Sequence, residues 1–250
     1  MNTPSNNRII LRFYEELNNF LPSDKQKTAY SVDYLKKRSV KDLIESQGVP
    51  HTEVDLIVVN DQPVDFNYLV KPRDRIAVFP KFEALDITPL LRPNQPPLRD
   101  PRFIADVHLG KLARHLRLLG FDCLYYPDCD DCQLAEKAVA EQRILLTRDV
   151  GLLKRAIVTH GIFLHSDKPA EQLRDIIRRL QLQTLIAPFS RCVRCNGRLQ
   201  KVNKENIRSL VPPRTYRHIH EFVQCINCGK VYWKGTHWNR LNDIINHAIE

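Results

Sequence analysis

In the middle of this sequence, acidic residues lie at the ends of several apolar runs. They are Asp106, the neighbours Asp130 and Asp131, and Asp149, and an amphipathic helix pattern begins after each of these three points. In an open α/β sheet such positions gather at the carboxyl ends of the strands, where ligands bind. Grouped carboxylates supply the oxygen ligands of Mg²⁺ or Mn²⁺, and a cation held there polarises a phosphodiester and activates water for in-line attack. The pattern therefore predicts a metal-dependent nuclease site.

Helix capping is the alternative role for these aspartates, because Asp is a preferred N-cap residue. Two features favour the metal site. The three points follow successive strands, and the cation Arg148 stands directly before Asp149, where a phosphate could be held. From the residues alone, either role stays open for each aspartate.

Three further cations lie on the helix pattern that follows Asp106. They are Lys111, Arg114 and Arg117, and we expect them to bind nucleic-acid phosphates near the metal. The alternative is a solvated helix face, which is where charged residues of an amphipathic helix usually lie.

Short apolar strands and amphipathic helices alternate around the aspartates. Four leucines, at positions 109, 112, 116 and 119, follow the spacing of one buried helix face, and Gly120 is expected to end that helix. The other expected elements are strands at 103–105, 121–126, 143–147 and 162–165 and helices at 132–142, 150–157 and 169–182. This alternation predicts a parallel, three-layer α/β domain.

Four cysteines form two CxxC pairs near the end of the chain. They are Cys192 with Cys195 and Cys225 with Cys228. Two such pairs supply the four thiolates of a closed, tetrahedral, structural Zn²⁺ site. The 29 residues between the pairs exceed the commonest spacing of about 15–20, which predicts a ribbon with an extended hairpin. Disulfides or free thiols are the alternatives.

The positive charge is concentrated in the last quarter of the chain. Residues 187–250 hold 11 Lys+Arg against 4 Asp+Glu, whereas residues 1–82 and 83–186 each have a net charge of only +1. A basic segment of this kind indicates a polyanion partner, nucleic acid first. Aromatic residues alternate with cations such as Arg214 and Arg217, which is typical of binding to single-stranded RNA. A soluble basic tail is the alternative.

The first 80 residues show the order strand, strand, helix, strand, strand. This is a β-grasp pattern, and the stretches SVKDLIESQGVPHTEVDLIVVN and VKPRDRIAVFP resemble the ubiquitin-like, MoaD/ThiS-like family. Sulfur carriers of that family end in a free Gly-Gly, whereas RIAVFP here continues into KFEALD. The resemblance, with this departure, therefore implies a docking or substrate-presenting module that carries no sulfur. Five prolines in residues 83–101 then predict a semi-rigid linker.

The strings FIADVHLGKLARHLRLLGFD and DCDDCQLAEKAVAEQRILLTRDVGLL, with the CxxC pairs, resemble the Mut7-C family of predicted ribonucleases, which is related to PIN domains. The resemblance spans residue 102 to about residue 245, and the ubiquitin-like module is often fused in front of it. It implies a PIN-like fold that hydrolyses RNA with Mg²⁺ or Mn²⁺. Carried onto this sequence, the catalytic, metal-binding acids are Asp106, Asp131 and Asp149, and Asp130 is a neighbour that shares the role. Asp128 and Asp167 are the candidates for a fourth acid.

The sequence thus predicts an α/β protein with a PIN-like three-layer parallel-sheet domain, preceded by a β-grasp (α+β) domain and followed by a small zinc ribbon. The expected ranges are 1–82 for the β-grasp domain, 83–101 for the linker, 102–186 for the PIN-like domain and 187–250 for the four-cysteine zinc ribbon. The expected function is a metal-dependent ribonuclease. A non-catalytic RNA- or ribosome-binding adaptor and a DNA nuclease are the alternatives.

No run of about 18 apolar residues and no signal-peptide pattern occurs, so we expect a cytoplasmic protein that does not enter a membrane.

Overall fold

The computed structural model describes residues 7–80 and 101–235. The predicted linker at 83–101 lies outside the described residues except for Pro101. No helix in the described ranges combines the length and the apolar character needed to cross a membrane.

The chain divides into two compact units. One contains Met1–Arg99 and Ala135–Phe163, and the other contains Asp100–Leu134 and Leu164–Glu250. The N-terminal module thus groups with part of the α/β region, and the zinc ribbon groups with the other part. The four domain ranges expected from the sequence stay a prediction.

The N-terminal module is a β-grasp sheet of five strands in the order β2-β1-β5-β3-β4, with β1 and β5 parallel. Its elements are β1 (Arg8–Phe13), β2 (Tyr30–Asp33), α1 (Val40–Ser46), β3 (Val54–Val59), β4 (Gln62–Val64) and β5 (Arg75–Pro80). Residues of β1 alternate between exposed and buried, because successive side chains of a strand point to opposite faces of the sheet. The predicted β-grasp order is confirmed, and β4 is an addition that the sequence pattern did not reveal.

Helix α1 is bounded by a serine cap at its start and a glycine after its end. The Ser39 hydroxyl accepts a hydrogen bond from the Asp42 amide at 3.1 Å, and such an N-cap contributes about 1 kcal/mol. Gly48 follows the helix with φ of 105°, a backbone conformation that glycine adopts without strain. The buried face of α1 packs Leu43 and Ile44 into the core.

The α/β region contains a parallel four-stranded sheet in the order β7-β6-β8-β9. Its elements are β6 (Phe103–Ala105), α2 (Gly110–Leu118), β7 (Cys123–Tyr125), α3 (Asp131–Ala140), β8 (Ile144–Thr147), α4 (Val150–Leu153), β9 (Gly161–Phe163) and α5 (Pro169–Arg179). All four residues of β8 are buried, as is usual for a parallel strand with helices on both faces. The predicted parallel α/β fold is confirmed.

Helix α2 buries the predicted leucine face. Leu112, Leu116 and Leu119 are fully buried, as is most of Leu109. Gly120 ends the helix with φ of 97°, and a Cβ at this position would lie 2.2 Å from the Ala187 carbonyl oxygen. Glycine is therefore required both by the backbone conformation and by the close approach of another segment.

Within the first compact unit, the β-grasp module contacts the segment from β8 to β9. His51 is buried, with Nδ1 at 2.6 Å from Glu45 Oε1 and Nε2 at 2.9 Å from the Val158 carbonyl oxygen. Lys154 Nζ donates to the Glu45 carbonyl oxygen at 2.7 Å. The module is therefore attached to the region around α4 by polar groups that are largely shielded from water.

A second set of contacts joins the same two regions at β9. Glu53 is 2% exposed, and its Oε1 accepts a hydrogen bond from the Phe163 amide at 2.5 Å. The Phe163 ring meets the Phe20 ring edge to face, with centroids 5.1 Å apart. A buried carboxylate of this kind is tolerated only when it is hydrogen-bonded.

The C-terminal ribbon is an antiparallel sheet in the order β10-β11-β12, formed by β10 (Leu199–Val202), β11 (Phe222–Cys225) and β12 (Val231–Trp233). A 3₁₀ turn at Lys204–Ile207 and helix α6 (Pro213–His218) lie between β10 and β11. β10 and β11 pair antiparallel, as expected for a hairpin, and helical turns occupy the long connection between them. These turns bring Ile207 and Val211 onto the sheet to form a small core.

Candidate functional site

The four predicted zinc ligands come together at one end of the ribbon. Their Sγ atoms all lie within 4.8 Å of one another, with Cys192 and Cys228 3.7 Å apart and Cys195 and Cys225 3.4 Å apart. Tetrahedral Zn–S bonds of about 2.3 Å place sulfur atoms about 3.8 Å apart. The cysteine group therefore fits a zinc ion, as the CxxC spacing predicts.

Local turns aim the thiols at a common centre. The Asn196 amide donates to the Cys192 carbonyl oxygen at 2.9 Å, and the Gly229 amide donates to the Cys225 carbonyl oxygen at 3.0 Å. Asn196 and Gly229 both have positive φ. A Cβ at Gly197 would lie 2.9 Å from Cys225 Sγ, so glycine at this position leaves room for the second cysteine pair.

Tyr232 adds a hydroxyl to the cysteine group, 3.1 Å from Cys192 Sγ. Burial opposes ionisation of Cys192, but hydrogen bonds from Tyr232 and from nearby backbone amides outweigh burial and lower the Cys192 pKa to about 6. Burial and the Cys192 sulfur both raise the pKa of Tyr232. Because Zn²⁺ binds thiolates and not thiols, this environment favours the metal-binding form of Cys192.

Arg117 connects the first cysteine turn to the α/β region. It is 6% exposed, and its guanidinium donates to the carbonyl oxygens of Cys123 at 2.8 Å, Val193 at 3.1 Å and Arg194 at 3.2 Å. The expectation that Arg117 binds RNA phosphates is therefore corrected. Its Nε and Nη1 atoms are occupied by backbone carbonyl groups, and its role is structural.

A second connection lies beside Arg117 and escaped the sequence analysis. The Asn196 side chain donates to Asp122 Oδ1 at 2.7 Å and accepts from the Cys123 amide at 3.1 Å. Arg191 pairs with Asp122 at 3.2 Å. These partners are separated by about 70 residues of sequence, so no local pattern could have revealed them.

Asp106 follows β6 directly and is 5% exposed. It precedes a 3₁₀ turn at Val107–Leu109, but its side chain makes no capping hydrogen bond there. The Tyr125 hydroxyl, at the end of β7, donates to the Val107 carbonyl oxygen at 2.9 Å. The ends of β6 and β7 are thus joined beside Asp106.

Asp130 is the cap of α3. Its Oδ1 accepts a hydrogen bond from the Gln133 amide at 2.9 Å, and Asp131 is the first residue of the helix. The sequence placed Asp131 before the helix, so the predicted boundary is wrong by one residue. Both carboxylates are exposed.

Asp149 is the cap of α4 and lies in a tight turn after β8. Its Oδ1 accepts from the Gly151 amide at 2.6 Å, and its own amide donates to Thr147 Oγ1 at 2.9 Å. The capping role, which was the alternative interpretation of the sequence, is therefore present. Capping uses one oxygen of a carboxylate that has two, so it is compatible with metal binding through the other.

The remaining predicted phosphate-binding residues are all exposed. They are Lys111 and Arg114 on α2, Arg148 in the turn after β8, and Arg214 and Arg217 on α6. Phosphate binding by these five side chains stays a prediction.

Two family models match the chain. The model described as the Mut7-C RNAse domain matches residues 101–245, and the model described as Mut7-C ubiquitin matches residues 6–86. No curated protein and no solved structure matches it. The first match begins two residues before β6 and includes every predicted catalytic residue, together with the four cysteines.

Proposed function

This chain belongs to the Mut7-C RNase domain family, and we propose that it is a metal-dependent ribonuclease whose catalytic carboxylates are Asp106, Asp131 and Asp149, with Asp130 sharing the role of its neighbour. The family suggests a nuclease-type activity, and the observation that carries the proposal is the position of the aspartates. Each lies at or beyond the carboxyl end of a strand of the parallel sheet, which is where open α/β sheets bind ligands.

The chemistry of the donors fits Mg²⁺ or Mn²⁺. Both ions take oxygen ligands, and Mg²⁺ usually keeps several waters while one or two carboxylates hold it. Asp149 caps a helix with Oδ1 and keeps Oδ2 for a cation, and Asp130 stands in the same position at the start of α3. Asp106 would supply the most buried carboxylate of the group.

A bound Mg²⁺ or Mn²⁺ would polarise the phosphodiester and provide a hydroxide at neutral pH. The protein's own part is to position the RNA. Arg148 stands next to Asp149, and an arginine there can hold a non-bridging phosphate oxygen with its planar fork of donors. Lys111 and Arg114, on the helix after Asp106, would bind the neighbouring phosphates.

The zinc ribbon would bind RNA at the same time. Arg214 and Arg217 are exposed on α6, and the ribbon segment carries most of the chain's positive charge. The zinc ion itself would be structural, because four thiolates leave no open coordination position. The β-grasp module is proposed to dock a protein partner.

The decisive experiment incubates labelled single-stranded RNA and a matched DNA with the zinc-loaded protein, with and without added Mn²⁺. The Asp106→Asn/Asp149→Asn variant is assayed beside the natural protein. We expect cleavage of RNA that requires Mn²⁺ and falls at least about a hundredfold in the variant, since each removed carboxylate weakens both cation binding and its orientation.

Three other results are informative. Equal cleavage of DNA would favour the DNA nuclease. Tight RNA binding without cleavage by either protein would favour the adaptor, with the aspartates acting as caps alone. Cleavage that persists in the variant would place the catalytic groups elsewhere in the chain.

A further inference from the structure

A cleft of about 500 Å³ lies within the second compact unit, between α2, the residues after β7 and the two cysteine turns. Its lining consists of four cations with Tyr125, Pro127 and Val193, and the cations are Arg114, Arg117, Arg194 and Lys230. No carboxylate belongs to this lining. The side chains of Arg194 and Lys230 have had no role in the site described above.

The three outer cations of this basic cleft are available to a ligand. Arg114, Arg194 and Lys230 are exposed, and none of them pairs with a carboxylate in the described ranges. The nearby carboxylate of Asp122 is already held by Arg191 at 3.2 Å. Positive charges that line a concave surface reinforce each other's electric field and attract anions.

The walls of the basic cleft are held in place by the fourth cation. Arg117 donates to carbonyl groups of β7 and of the first cysteine turn, so it ties one wall to the other. A cleft whose walls are fixed before binding loses little conformational entropy when a ligand enters.

The basic cleft leads toward the first proposed catalytic aspartate. Tyr125 lines it, and the hydroxyl of the same residue bonds to the Val107 carbonyl oxygen, next to Asp106. At the other end, Lys230 Nζ lies 5.4 Å from the centre of the Tyr232 ring, beside the cysteine group. Two residues of the lining therefore contact neighbours of the end of β6 and of the cysteine group.

We infer that the basic cleft binds the phosphate backbone of single-stranded RNA and guides the strand toward Asp106. Arg114 and Arg194 provide planar donor forks for phosphate, Lys230 provides a point charge, and the Tyr125 ring provides a face for an unpaired base. This inference rests on the proposed ribonuclease function, and it adds the route by which the substrate reaches the site.

The test measures binding of a fluorescein-labelled oligouridylate to the full-length, zinc-loaded protein by anisotropy, without added Mg²⁺ or Mn²⁺, over a range of salt. The test variant is Arg114→Gln/Arg194→Gln/Lys230→Gln. The control variant, Lys36→Gln/Lys37→Gln/Arg178→Gln, loses the same charge at exposed positions outside the cleft.

We expect the test variant to bind at least about tenfold more weakly at low salt, and the slope of log Kd against log salt to fall by about 2, because each phosphate contact on a single strand contributes about 0.7. The control variant should keep the natural slope. Zinc content and melting temperature verify folding, and if the triple variant is unfolded, Lys230→Glu alone should lower the slope.

Equal binding by the test and control variants would overturn the inference, as would a natural protein that does not bind the probe. The two proposals fail separately. If Mn²⁺-dependent cleavage is unchanged in the test variant, the RNA-binding role of the cleft is refuted and the ribonuclease function stands. If RNA binding depends on the cleft but the protein never cleaves RNA, the role of the cleft stands and the ribonuclease function is refuted.

Discussion

Replacing Arg117 by methionine separates its structural role from the phosphate-binding role that the sequence suggested. Methionine keeps an apolar stem of similar length in the same space but removes the donors to three carbonyl oxygens, at 2.8, 3.1 and 3.2 Å. Each lost bond to a charged donor costs at least about 1 kcal/mol when the carbonyl group is left without a partner. The expected loss is therefore about 3 kcal/mol for the three bonds together.

The assay is thermal unfolding of the zinc-loaded protein, combined with the rate at which a chromogenic chelator removes the zinc. For a unit of this size, about 3 kcal/mol corresponds to a fall in Tm of about 6–12 °C. Zinc release should also accelerate, because two of the three carbonyl groups belong to the turn between Cys192 and Cys195.

The matched control is Arg114→Met, one helical turn earlier and exposed, which should change stability by less than about 0.5 kcal/mol. A Tm for Arg117→Met within about 2 °C of the natural protein, with zinc release unchanged, would refute the structural assignment and return Arg117 to the phosphate-binding candidates.

The remaining predictions concern the caps, the module contact and the ribbon. Asp149→Asn should keep the α4 cap and its stability but lose cleavage, whereas Asp149→Ala should also lose about 1 kcal/mol; denaturation and cleavage of both variants distinguish the two effects. Glu53→Leu leaves the Phe163 amide without its acceptor and should destabilise the protein by about 1–3 kcal/mol, more than Glu53→Gln does in the same urea titration. Neutralising Arg214 and Arg217 should weaken RNA binding and lower its salt dependence by about 1.4; an unaltered slope would remove α6 from the RNA-binding surface. Removing zinc with a chelator should unfold the ribbon, because structural zinc supplies folding free energy, and a near-ultraviolet circular dichroism spectrum that does not change would contradict this.

Local patterns in the sequence predicted most elements of the fold. The leucine spacing of α2 depends on residues within a few helical turns, and the CxxC pairs fix their own turns. Such signals survive in any tertiary arrangement, because they are set by backbone geometry and by which face is apolar. The shift of the α3 cap from Asp131 to Asp130 marks the limit of this approach, since neighbouring acids offer the helix two equivalent starts.

Tertiary structure alone decided which charged side chains are free to act. Arg117 is a charged residue on an amphipathic helix pattern, but in the structure it is 6% exposed and donates to backbone carbonyl groups. The partner carbonyl groups lie 76 and 77 residues further along the chain. In the same way, the Glu53 carboxylate accepts a hydrogen bond from the amide of Phe163, 110 residues further along the chain. A periodic pattern indicates whether a residue faces an apolar surface. The identity of its hydrogen-bond partner is a different matter, because it depends on which distant backbone groups are removed from water when the chain packs.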